Sequence, residues 1–139
     1  MPHTALPTEL RLSIGRLARR LRAEKADRSI SDSQLSALWR LREAADCTMG
    51  ALSGIEGVTA PSMHRTVNAL VDAGYVTRYS SPDDGRKVLL RLTDAGERVL
   101  DETSRRRDEW FTGRLRELDA DELAIVTAAA PVIKKLANS

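Results

Sequence analysis

Apolar residues recur at helical spacing near the start of the chain. Leu10, Ile14, Leu17 and Leu21 fall on one stripe, as 3.6 residues per turn requires. The pattern predicts an amphipathic helix over about 8–27 with that stripe buried, and Arg11, Arg16, Arg19, Arg20, Arg22 and Lys25 set between. Ser31 with Gln34 has capping-box spacing and opens a second helix whose apolar face is Leu35, Leu38, Trp39 and Leu41. Thr48 suits the cap of a short third helix with Met49, Leu52 and Ile55. Gly50 and Gly54 each cost that helix about 1 kcal/mol against alanine, so neighbours must hold it.

Gly57 fits the left-handed residue that ends the third helix, having no Cβ to clash. Thr59 is a good N-cap for the fourth, Pro61 is tolerated in its first turn, and Val58 with Met63 has the spacing of a hydrophobic staple. The fourth helix should run to about Ala73 and stop at Gly74. Beyond Gly74 the period shortens to two. Tyr75 to Ser80 and Val88 to Leu92 read as strands joined by a turn-forming segment, 81–87, with Pro82, Asp83, Asp84 and Gly85. Thr93 then caps a long polar helix to about Leu118, and Asp119 with Glu122 opens a last helix holding Leu123, Val126, Ile133 and Leu136. Pro131 should break or kink that helix. The fold class is mainly α with a small β-hairpin.

Composition changes this picture little. The chain has 139 residues, 42% hydrophobic and 30% charged, enough for one compact subunit. Aromatics at 4% argue against a stacking surface for single-stranded nucleic acid. A net charge of +2 identifies no partner, so the placement of charge decides. Cys47 is the one cysteine, so no intramolecular disulfide can form. Met1, Pro2, His3 and Thr4 do not open a signal peptide, and no run approaches the roughly 20 apolar residues of a membrane span. A soluble, cytoplasmic protein is expected, without membrane association.

The chemistry gathers around the fourth helix and the hairpin. Met63, Thr66, Val67 and Leu70 share one helix face, while Pro61, His64, Arg65 and Asn68 occupy the other. A major-groove helix needs such a polar face: arginine bonds guanine edges, asparagine pairs with adenine, and hydroxyls bind phosphate. An ordinary solvated face has the same look, so the helix alone does not decide. The hairpin adds Arg78, Arg86, Lys87 and Arg91, with Arg86 near the tip beside Asp84. A protruding arginine suits the focused negative potential of a narrow minor groove. Asp84 is expected to steady its guanidinium through a bidentate contact.

The run Val58 to Val67, with Leu70, Gly74-Tyr75-Val76, Arg78, Pro82 to Arg86 and Leu92 to Gly96, resembles the MarR family of winged helix-turn-helix transcriptional regulators. The resemblance covers nearly the whole chain. It implies a single subunit with a DNA-reading lobe over about 31–93 and a helical dimerisation region over about 6–27 and 94–137. It also implies a homodimer on a pseudo-palindromic double-stranded operator, acting as a repressor and released by a small aromatic carboxylate or phenolic ligand. The DNA-binding set is then Thr59, Pro61, Ser62, His64, Arg65, Asn68, Arg78, Asp84, Arg86, Lys87 and Arg91. For a ligand between the dimer arms and the lobe, Arg16, Arg19 or Arg20 supply charge, and Trp39 or Trp110 an apolar wall. Each tryptophan is also explained by core packing. Gly85 departs from the family pattern, standing where many members carry a second arginine.

Two rivals remain. Cys47 before a helix start invites a thiol-based redox-sensing repressor, although Asp46 beside it opposes a thiolate and a small buried cysteine is the commoner case. A winged helix used for protein–protein contacts is the other, but it needs no basic helix face joined to a basic hairpin tip. An enzyme is not expected. His3 and His64 are the only histidines, no Cys/His cluster suits a metal, no glycine-rich phosphate loop suits a cofactor, and the acidic pairs Asp83-Asp84 and Asp108-Glu109 read as turn and exposed helix face.

Overall fold

A computed structural model describes residues 5–139; the first four, with the expected absence of a signal peptide and His3, lie outside the described residues. The described residues form α1 (Leu6–Ala23), α2 (Asp32–Glu43), β1 (Cys47–Thr48), α3 (Met49–Glu56), α4 (Ala60–Asp72), β2 (Val76–Ser80), β3 (Val88–Leu92), α5 (Asp94–Leu115) and α6 (Ala120–Ala137). They divide into two compact units: Arg22–Arg106, and Arg107–Ser139 with the chain up to Leu21. No helix among them is long and apolar enough to cross a membrane.

Local signals set the boundaries in the first unit. Ser31 and Gln34 form the capping box of α2, Thr48 caps α3, and Thr59 caps α4 by accepting from the Ser62 amide. Gly57 at φ 65° ends α3, and Gly74 at φ 83° turns the chain into β2. Thr93 caps α5, its hydroxyl oxygen accepting from the Gly96 amide at 3.1 Å. The apolar faces of α2, α3 and α4 meet β2, β3 and the start of α5 in one core, in which Leu38, Leu52, Val67 and Leu100 are wholly buried. Removing each leucine from water contributes about 1.5–3 kcal/mol. Thr103, the one buried polar residue among the described residues, accepts from the Ala26 amide at 3.2 Å.

The sheet has three strands rather than the two of a hairpin, in the order β1-β3-β2 and all antiparallel. Cys47 lies opposite Leu90, and the β2–β3 ladder runs from Val76↔Leu92 to Ser80↔Val88.

In the second unit the expectations need correction. α1 stops at Ala23, before the expected Asp27, whose carboxylate instead accepts from the Ser29 amide at 2.9 Å and turns the chain. No residue of α1 or α6 is buried; of the stripe expected inside, Leu10, Ile14 and Leu17 are exposed on this chain and Leu21 is half-buried. α6 continues through Pro131 unbroken; the proline forfeits one backbone bond, and its neighbours on either side keep the helix going. α5 ends at Leu115, three residues short of the expected Leu118.

Candidate nucleic-acid interface

α4 buries Met63, Val67 and Leu70 and turns Pro61, His64, Arg65 and Asn68 to solvent. The division follows from helical spacing, because residues three and four apart share a face. Among the described residues His64 and Arg65 make no hydrogen bond or ion pair, so their polar atoms are available to a partner. Thr59 stands exposed at the N-terminus of α4, with its oxygen engaged in the cap. Ser62 is half-buried and lines a hollow of about 340 Å³ with Ser36, Glu56 and Thr66.

The polar face is tied to the hairpin. The Arg78 guanidinium on β2 donates to the Asn68 side-chain carbonyl on α4. Two residues expected to meet DNA separately are therefore one unit.

The hairpin tip is closed by backbone bonds: the Ser81 amide donates to the Lys87 carbonyl at 2.9 Å, and the Lys87 amide to the Asp84 carbonyl at 3.0 Å. The bidentate Asp84–Arg86 contact expected from the sequence is not formed. The Asp84 carboxylate accepts from the Arg86 backbone amide at 3.0 Å, and only the guanidinium Nε comes near, at 3.7 Å. With only Gly85 between them, the short aspartate reaches its neighbour's backbone before the end of a long arginine, which stays 97% exposed.

Arg91 is placed differently from the other basic residues. Its guanidinium donates to Asp46 at 3.2 Å and lies over the Tyr79 ring, 4.2 Å from the centroid. The Tyr79 hydroxyl donates to the same carboxylate. This cluster escaped the sequence reading. The available signal was Asp46 alone, an aspartate just before a strand, which adopts φ 60°.

The proposed ligand residues fall in both units, Arg16, Arg19, Arg20 and Trp110 in one and Trp39 in the other. Arg16 and Arg19 are exposed on α1 without partners among the described residues. Arg20 lies over Trp110 at 5.6 Å from the ring centroid, Arg114 at 5.2 Å, and Phe111 meets Trp110 edge-on. Trp39 is half-buried against the core of the other unit, with Arg42 5.4 Å from its ring. Cys47 is buried in β1, where desolvation pushes its thiol up rather than toward the thiolate that a sensor needs. No group of three or more potential metal ligands occurs among the described residues.

The MarR family model matches residues 30–88. An uncharacterised HTH-type transcriptional regulator of Mycobacterium leprae is 40% identical over 131 residues, covering 94% of this chain and 92% of its own. A transcriptional regulator from Pseudomonas aeruginosa has a similar crystal structure, with a TM-score of 0.87 and 27% identity over 99% of this chain and 97% of its own. A variant of Staphylococcus aureus MepR bound to an oligodeoxyribonucleotide shares the fold, with a TM-score of 0.76 and 17% identity over 96% of each chain.

Proposed function

The chain belongs to the MarR family of winged helix-turn-helix transcriptional regulators, DNA-binding proteins and not enzymes, and on that premise we propose that it is a repressor working as a homodimer. In this reading α4 enters the major groove of each operator half-site, and the β2–β3 wing reaches the adjacent minor groove. Arg65 reads a base edge or holds a phosphate, and Arg86 is the minor-groove residue. The observation that carries the reading is the combination of unengaged Arg65 on α4 with almost fully exposed Arg86 on the wing. Thr59, Pro61, Ser62, His64 and Lys87 contribute positioning contacts, and the Asn68–Arg78 pair couples the helix to the wing.

Dimerisation is supported by Leu10, Ile14 and Leu17 of α1, each more than 40% exposed, and by α6, where Ile133 and Leu136 are 51% and 64% exposed. Apolar stripes of that extent belong against a second copy. A small aromatic carboxylate is the proposed inducer, since Arg16, Arg19 and the Arg20–Trp110 pair offer charge and an aromatic face. It must bind the DNA-incompetent dimer more tightly, with a coupling of roughly 1–3 kcal/mol. The buried thiol of Cys47 weighs against redox sensing.

The test combines two measurements. Gel shift against the DNA upstream of its own gene should show a specific complex that a benzoate-type compound weakens. Sedimentation at micromolar concentration should show a dimer. A stable monomer overturns the assembly; an unchanged complex at millimolar benzoate overturns the inducer class.

A further inference from the structure

Arg91 has two descriptions that cannot both be complete: a basic residue of the wing, and the partner of Asp46 and Tyr79 at its base. The geometry favours the second. Asp46 precedes Cys47, which pairs with Leu90 across the β1–β3 ladder, so the next rung sets Asp46 beside Arg91. Arg91 in turn lies opposite Thr77, one diagonal from Tyr79, so the three side chains emerge on one face of the sheet. Each touches both others: carboxylate to hydroxyl, carboxylate to guanidinium, guanidinium to ring. They come from three places, the α2–β1 loop, β2 and β3, and so tie the loop across the whole sheet. The opposite face of β2 is tied by Arg78 to Asn68 on α4.

Stability alone is a poor account of this cluster. Asp46 and Arg91 are 59% and 60% exposed, where an ion pair is screened and worth little. Asp46 also holds a left-handed backbone, which a non-glycine residue adopts at a cost. Its carboxylate would be unnecessary if the loop needed only to turn, because glycine makes that turn freely.

We propose that Asp46, Tyr79 and Arg91 form a clamp that fixes the angle of the wing against the α4 lobe, with Asp46 as its positioning residue. Arg91 then acts through the clamp and not as a phosphate contact. The clamp and the Arg78–Asn68 bond hold β2 from opposite faces, and the direction in which Arg86 leaves the wing follows from both. The inference rests on the DNA-binding reading above.

The test uses the full chain and a duplex that the parent selects from a randomised library. Three single variants, Asp46→Gly, Tyr79→Phe and Arg86→Ala, are compared with the doubles Asp46→Gly/Arg86→Ala and Tyr79→Phe/Arg86→Ala. Asp46→Gly keeps the left-handed turn without strain, and Tyr79→Phe deletes only the hydroxyl, so both should melt close to the parent. Each should weaken binding about two- to tenfold, the range of one lost hydrogen bond. In the Arg86→Ala background the same changes should cost little, because the residue they aim has gone. Parent-like binding by both single variants overturns the clamp, and so does a loss that persists undiminished in the Arg86→Ala background. If the parent selects no duplex, the DNA-binding reading falls and the clamp with it; selection by the parent with additive losses overturns the clamp alone.

Discussion

A single methyl group at Gly96 tests how α5 is docked. A Cβ built there would lie 2.3 Å from the Tyr75 carbonyl oxygen, 3.3 Å from its carbon and 3.4 Å from Leu92 Cδ2. Normal contact requires the carbonyl to retreat by roughly 1 Å. It is not free to do so, because it accepts from the Thr93 amide at 3.0 Å, while the Thr93 hydroxyl donates to the Gly74 carbonyl at 2.6 Å. Overpacking of this kind costs about 1–3 kcal/mol. Loss of the Thr93 bond adds about 0.5–1.5 kcal/mol, and alanine's better helix propensity returns about 1 kcal/mol. The net expectation for Gly96→Ala is about 1–3 kcal/mol of destabilisation, a fall in Tm of roughly 3–10 °C. Gly113→Ala is the control, since it lies in the same helix with nothing within 4 Å of its Cβ; it should be neutral or stabilising by up to about 1 kcal/mol. Circular-dichroism melts at one fixed protein concentration decide the matter, because the proposed dimer would make Tm concentration-dependent. If Gly96→Ala melts at or above the parent, the close approach of α5 to the α4–β2 corner is not real.

Four further outcomes are expected. Arg65→Ala should cost about 1–3 kcal/mol if it removes a base contact, and relax sequence preference at one position per half-site. Arg86→Ala should flatten the salt dependence of operator affinity by about one unit per wing, and unchanged affinity at every salt concentration would remove the wing from the interface. The Tyr75 phenol donates to Asp27 at 2.6 Å and is pushed up to about 12, by that bond first and by burial second. Folding favours its neutral form, so its contribution is full below the ordinary value of 10.0 and is lost as pH rises through about 12. Tyr75→Phe should therefore cost about 1 kcal/mol at neutral pH in urea unfolding, and the gap to the parent should close on the alkaline side; a gap that persists there would refute the assignment. Peroxide should leave operator binding by the parent and by Cys47→Ser alike, and a response present only in the parent would restore the redox reading.

The parts of the fold that were legible in the sequence are those decided within a few residues. Ser31, Thr48, Thr59 and Asp119 each cap a helix by accepting from the amide three positions on, and Gly57 and Gly74 take positive φ, which glycine adopts without strain. What escaped depends on distant partners. β1 is two residues long and exists because Leu89 and Leu90, some forty positions away, pair with it. The Asn68–Arg78 bond and the Asp46 cluster likewise need the folded sheet to bring them together. The bidentate Asp84–Arg86 contact fails for the opposite reason: the two are neighbours, and the backbone amide lies nearer to the carboxylate than the guanidinium does. The exposed faces of α1 and α6 carry the expected pattern, whose burial a single chain does not accomplish.

The way Asp84 is spent has a kinetic and entropic side. By bonding the Arg86 amide it ties the ribbon at the tip, yet leaves the guanidinium 97% exposed to water. If the wing meets DNA as proposed, that side chain must be immobilised, at about 0.5–1.5 kcal/mol. A pre-locked arginine would avoid that loss but would fit one groove width only. On the proposed reading, an exposed guanidinium on an aimed ribbon could adapt to grooves of varying depth as the protein moves along nonspecific sequence. The wing tip would then serve the search, and the discrimination between operators would fall to α4.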